Sequence, residues 1–284
     1  MTRTSDLWQL TKPGVTRMCV LTTAGGLALA PGEIGWRGGL AAVVGSALAV
    51  AGANAANMWW ERESDGLMSR TRRRPLPAGR MAPGVALRFS AMLSMASLLV
   101  LGLGTNLLTA VLAGLAIGAY VLVYTPLKRR TPLALVIGAI PGAVPPLLGW
   151  TAVTDALDPG GLVLFGIVLV WQIPHFIAIA LYRKAEYARA GIRVVPLVRG
   201  DAVAKIQAVA WAMLLVPLSL MLTPLGVAGS LYLWCAMVLG MAFLGWAFTG
   251  LDDGAGPRWA RGYFLASLVY LPALTTALAL DVLF

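Results

Sequence analysis

At 284 residues, 59% of them hydrophobic and 12% charged, with a mean hydropathy of +0.80, the chain is too apolar for a water-soluble domain and reads as a polytopic membrane protein. A net charge of +10 would suggest nucleic acid on a soluble fold; here it reads as membrane topology, and no nucleic-acid partner is expected. The single histidine excludes a multi-histidine metal centre or bis-histidine haem ligation within one chain, and Cys19 and Cys235 sit in apolar runs as packing residues, not as a disulfide.

Residues 1–14 are polar with a scatter of Leu7, Trp8 and Leu10, an interfacial lead-in without the pattern of a cleaved signal peptide. Apolar runs then recur at about 15–31, 39–60, 83–103, 107–125, 133–152, 160–182, 203–223, 228–250 and 260–281. Each is long enough for a membrane helix of about 20 residues, which predicts an all-α fold with nine transmembrane helices in a single domain, 1–284. A weak parallel repeat relates about 15–125 to 133–250, because the second and sixth runs both end in a loop that mixes acids and bases. Of the 22 lysines and arginines, all but Arg37 fall in the N-terminal segment, in the loops after the second, fourth, sixth and eighth runs, or just inside the runs that follow. That bias predicts a multi-pass protein of the bacterial cytoplasmic membrane, N-terminus in the cytoplasm and C-terminus outside.

The second run ends in Asn57, Glu61 and Asp65, spaced four and four. On a helix these share one face, with Cβ atoms about 5–6 Å apart. Three oxygen-bearing side chains suit a hard cation such as magnesium, and the arginines that follow, Arg62 to Arg74, suit phosphate. The same residues could instead cancel one another as salt bridges on a solvated loop. Glu63 falls off that face, and Pro75 and Pro77 end the helix. The next basic loop, Tyr124-Thr125-Pro126-Leu127-Lys128-Arg129-Arg130, is either a topology signal or a second grip on diphosphate. Gly138, Pro141, Gly142, Pro145, Pro146 and Gly149 predict a kinked, thin fifth helix, packed closely beside a cavity. Gln172 and His175 lie deep in the sixth run around Pro174; a lone histidine there is more often hydrogen-bonded core than ligand. Glu186, the one acid in the loop that follows, could complete a metal site with Asn57, Glu61 and Asp65.

In order, Leu10-Thr11-Lys12-Pro13, then Asn57, Glu61, Asp65, Met68-Ser69-Arg70-Thr71 and Arg74-Pro75-Leu76-Pro77, then Tyr124 to Arg129, then Trp171-Gln172-Ile173-Pro174-His175-Phe176, resemble the motifs of the UbiA-type intramembrane prenyltransferases, and more narrowly of their haem-farnesylating members, over roughly residues 10–200. Departures are glutamate at 61 and 186 where aspartate is usual, Ala185 where a second acid is common, and Gly14 where arginine commonly follows Lys-Pro. The resemblance implies nine helices around a central cavity that opens to the cytoplasmic side. It implies a Mg2+-dependent enzyme with farnesyl diphosphate and haem b as substrates. Asn57, Glu61, Asp65 and Glu186 would be catalytic and bind the metal. Arg70, Arg74, Lys128, Arg129 and Arg183 would hold diphosphate. Tyr124, Gln172, His175 and Tyr187 would face haem or the prenyl chain, and Trp59, Tyr124 and Phe176 could stabilise the farnesyl cation through their ring faces. The lipid bilayer and haem-modifying or oxidase-assembly proteins are the further partners it suggests. Two other readings compete: a prenyltransferase with another aromatic acceptor such as a quinone precursor, and a transporter of an anionic lipid or metabolite.

Overall fold

A computed structural model describes residues 3–283, apart from the side chains of Val282 and Leu283. The described residues form helices and connecting turns, with no strand among them. Nine long helices follow one another: α1 Pro13–Leu29, α2 Trp36–Trp60, α3 Pro83–Gly104, α4 Leu107–Leu127, α5 Ala134–Thr154, α6 Pro159–Tyr182, α7 Asp201–Leu220, α8 Ser230–Thr249 and α9 Pro257–Leu283. Eight of them, α2 to α9, are long and apolar enough to cross a membrane. The first differs from expectation. At 17 residues α1 is about 26 Å long, against a hydrocarbon core of about 30 Å. Pro13 starts it at a position where a missing N–H costs nothing, and the chain is already extended at Ala30, before Pro31. A short helix, Thr4–Leu10, precedes it, so the interfacial lead-in is ordered.

The fifth helix is the hub. It packs on α1, α4 and α6, while α6 in turn packs on α7 and α9, and α8 closes that group between α7 and α9. The glycines and prolines of α5 serve this position. Despite Pro141, Pro145 and Pro146 it stays helical from Ala134 to Thr154. A Cβ on Gly26 would strike the Pro146 carbonyl and one on Gly149 the Thr23 carbonyl, so α1 and α5 touch backbone to backbone. A Cβ on Gly142 would strike the Gln172 amide, which is how α6 gains its close approach. On the opposite flank α2 and α3 pair along their lengths, with Ser90 and Ser97 hydroxyls donating to the Gly52 and Gly45 carbonyls at 2.9 and 2.7 Å. Outward faces are apolar, as at Leu103 and Leu107, which suits lipid and not water.

Two cavities lie at opposite ends of the bundle. A polar one of about 380 Å³ sits at the end that carries the basic loops, lined by residues that include Trp60, Glu61, Thr125, Lys128, Arg129 and Arg130. An apolar one of about 270 Å³ lies between α1, α5, α6 and α9, towards the other end.

Candidate active site

The four-residue spacing survives the end of α2. The Glu61 amide donates to the Asn57 carbonyl at 2.9 Å and the Asp65 amide to the Glu61 carbonyl at 2.8 Å, so the face continues into the short helix Arg62–Gly66. Asn57 and Asp65 are buried. Across from them α4 changes pitch: Ala119–Tyr124 is wound as a π-helix, a form common at functional sites. Pro126 lacks the N–H that would continue the ladder, and the Tyr120 carbonyl takes the Thr125 hydroxyl at 2.8 Å. That segment turns Thr125 and Lys128 towards the α2 face.

Each expected oxygen donor holds a cation. Lys12 Nζ donates to Asn57 Oδ1 at 2.7 Å, and Asn57 Nδ2 donates to Thr125 Oγ1 at 3.1 Å. Lys128 Nζ donates to Glu61 Oε1 at 2.8 Å and lies 4.3 Å from the centre of the Tyr124 ring. Arg74 Nη1 meets Asp65 Oδ2 at 2.7 Å. Arg183 Nη1 meets Glu186 Oε1 at 2.7 Å, and Ser69 Oγ donates to the same oxygen at 3.1 Å, which joins the loop after α2 to the loop after α6. Burial opposes a charge on Glu61, yet Lys128 and Lys12 hold its carboxyl below the usual range. Burial likewise opposes a charge on Lys128, but Tyr124 and Glu61 outweigh it and keep the ammonium well above an ordinary lysine. Lys12 is drawn down to about 7, first by burial and then by Arg74 and Lys128. Burial raises the Tyr187 phenol, opposed by nearby Arg70.

Glu63 lines the outer part of the polar cavity but is exposed, and among the described residues it pairs only with Arg62, at 3.6 Å. Gln172 spends its amide on packing, donating to the Ala139 and Val168 carbonyls at 3.3 and 3.1 Å. His175 shares a 2.7 Å hydrogen bond through Nδ1 with Ser267 Oγ on α9 and stacks on Trp171 at 5.0 Å, with Phe176 at 5.5 Å. Arg62 covers the Trp59 ring at 5.5 Å. Conversely, Lys12, Ser69 and Thr125 enter the site without having been expected there as functional residues; only their places inside the motifs hinted at it.

A model of the UbiA prenyltransferase family matches residues 19–268. The chain belongs to that family. This sets aside the transporter reading. Among its relatives, a protein named protoheme IX farnesyltransferase from Myxococcus xanthus is 50% identical over 277 residues, 98% of this chain and 94% of that one. One of the same name from Sorangium cellulosum is 55% identical over 237 residues, 84% and 85% of the two chains. The fold matches a solved structure of digeranylgeranylglyceryl phosphate synthase with a TM-score of 0.82 at 19% identity, covering 98% of each chain. It also matches a UbiA homolog from Archaeoglobus fulgidus bound to GPP and Mg2+, with a TM-score of 0.67 at 16% identity and 96% and 99% coverage.

The residues of this site fit a magnesium ion shared with phosphate better than one caged by protein alone. The donors are all oxygen, as a hard cation needs. Among the described residues no group of three or more acids, histidines or cysteines closes around one point, so an ion held by these side chains would draw the rest of its shell from other ligands. Magnesium commonly takes one or two carboxylates and completes its shell with water and substrate phosphate. The cations beside each acid have the charge that such an anion would need. Arg183 Nε, buried and without an acceptor among the described residues, is a donor still to be used.

Proposed function

We propose that this membrane prenyltransferase transfers the farnesyl group of farnesyl diphosphate to the 2-vinyl group of haem b, with release of diphosphate. One observation carries the reading: the chain is 50% identical, over 98% of its length, to a relative named protoheme IX farnesyltransferase. The polar cavity supports it, because Glu61 and Lys128 pair there at 2.8 Å beside Arg129 and Arg130.

In this reading Asn57, Glu61, Asp65 and Glu186 hold magnesium, which supplies charge neutralisation for the departing diphosphate. Arg70, Arg74, Lys128, Arg129 and Arg183 take phosphate oxygens. As the bond from carbon to oxygen breaks, negative charge collects on diphosphate, and these cations are already in place to stabilise it; that electrostatic contribution is commonly the largest. The vinyl π electrons form the new carbon–carbon bond, leaving a cation on the vinyl carbon next to the porphyrin. Water adds there and loses a proton, giving a hydroxyethylfarnesyl group. Tyr124, with Lys128 against its ring, would offer the ring to the allylic end of the substrate. The packed helices around α5 limit stray water near the cation. The protein sits in the bacterial cytoplasmic membrane with its basic end in the cytoplasm, and its product passes to proteins that modify haem or build it into an oxidase.

The test is direct. Purified protein in detergent receives farnesyl diphosphate, Mg2+ and either haem b or a quinone precursor, and the products are weighed by mass spectrometry. Haem that gains a farnesyl group and a water, with matching diphosphate release, is expected. Prenylation of the quinone precursor alone would overturn the choice of acceptor.

A further inference from the structure

Four cations touch the oxygen donors of the site, and one differs from the rest. Arg74, Lys128 and Arg183 each meet a carboxylate, whereas Lys12 meets the neutral amide oxygen of Asn57. Moving Lys12 onto an anion therefore breaks no ion pair. The charges of Glu61 and Asp65 act on it favourably and those of Arg74 and Lys128 oppose them. It precedes residue 19, where the family match begins, and lies outside the loops that carry the other site residues.

Its backbone is also unusual. With φ of 47° it is one of two non-glycine residues in the left-handed region among those described, a costly conformation for a lysine. Contacts on both sides enforce it. Upstream, Asp6 is buried and accepts from Arg80 Nε at 3.0 Å, while Arg80 Nη1 donates to the Arg73 carbonyl at 3.0 Å. Leu10 is buried in one cluster with Met58, Leu76 and Met81. The Thr11 carbonyl accepts from Asn54 Nδ2 at 3.3 Å, and Pro13 then starts α1. A lysine that only marked topology would have no need of such a clamp.

We infer that Lys12 is a direct ligand of the substrate diphosphate, and that Asp6 and Arg80 are positioning residues which hold it over the site by strapping the helix Thr4–Leu10 to the arginine loop. The inference rests on the prenyl diphosphate reading above. An ammonium is a compact point charge with three donors, able to leave Asn57 for a phosphoryl oxygen over a short distance.

The experiment measures binding of inorganic pyrophosphate with Mg2+ to the full chain in detergent, by calorimetry at fixed ionic strength, with the KM for farnesyl diphosphate and for haem alongside. Lys12→Gln should weaken pyrophosphate binding at least tenfold and raise the farnesyl diphosphate KM, leaving the haem KM in place, and Lys12→Arg should restore most of the loss. Asp6→Asn should weaken binding several-fold alone and add nothing to Lys12→Gln, because it acts through the same ammonium. Affinity within twofold of wild type in Lys12→Gln overturns the assignment. A full Asp6→Asn effect on top of Lys12→Gln overturns the positioning role. If Lys12→Gln does not fold, Asp6→Asn decides, and unchanged affinity there overturns the proposal. A wild-type protein that binds no pyrophosphate overturns the diphosphate reading itself.

Discussion

Asp65 and Glu63 stand two residues apart and meet opposite environments. Asp65 is 1% exposed and bonded to Arg74, whereas the Glu63 side chain is 80% exposed. Asp65→Asn keeps size and removes the charge, and should lower turnover by about 10²–10³, the loss expected for one key electrostatic group. Glu63→Gln should stay near wild type. Asp65 is also half of a buried pair, and taking away one partner of a fully buried pair costs roughly 3–5 kcal/mol. The cost here should be smaller because Arg74 remains 24% exposed, so melting temperature belongs beside the rate. Near-normal activity in Asp65→Asn with a dead Glu63→Gln would reverse the assignment of faces. The oxygen donors lead to a second expectation: a chelator should abolish haem farnesylation and added Mg2+ should restore it, and activity that survives thorough chelation would remove the metal from the reaction.

Between elements, two contacts make distinct demands. Gly149→Ala would drive a Cβ into the Thr23 carbonyl and crowd the Leu27 amide, forcing α1 and α5 apart. Overpacking of this kind commonly costs about 1–3 kcal/mol, and a lower melting temperature in detergent should show it. Gly14→Ala, which meets nothing within 4 Å, is the control and should melt with wild type. Between α6 and α9, Ser267→Ala strands the buried His175 Nδ1, at a cost of about 1–3 kcal/mol for an unsatisfied group. Melting temperature should fall while the haem KM holds. A raised haem KM at unchanged melting temperature would instead put His175 on the substrate.

For the whole molecule, the charge bias predicts the orientation. With all basic residues but Arg37 at one end, reporters fused at Ser64, Arg130 and Arg189 should all report cytoplasm. A periplasmic signal at any of the three would invert or break the topology. Orientation matters for the proposed function because the polar cavity lies at that same end, where the diphosphate would leave.

Local periodicity was enough to place the helices and the face shared by Asn57, Glu61 and Asp65, since a helix puts residues four apart side by side whatever surrounds them. Positive charge was enough to mark the end where the site lies. Partnerships over distance were not legible. Lys12 reaches Asn57 across 45 positions, Ser69 reaches Glu186 across 117, and His175 meets Ser267 across 92. In sequence, Lys12 is one more basic residue before a helix and His175 a histidine with no visible partner. Only the packing of α1 and α6 around α5 brings those partners within a hydrogen bond. The position of α1 was also a tertiary matter, because the strap of residues before it turns the backbone at Lys12 and Pro13 opens the helix ahead of the expected run.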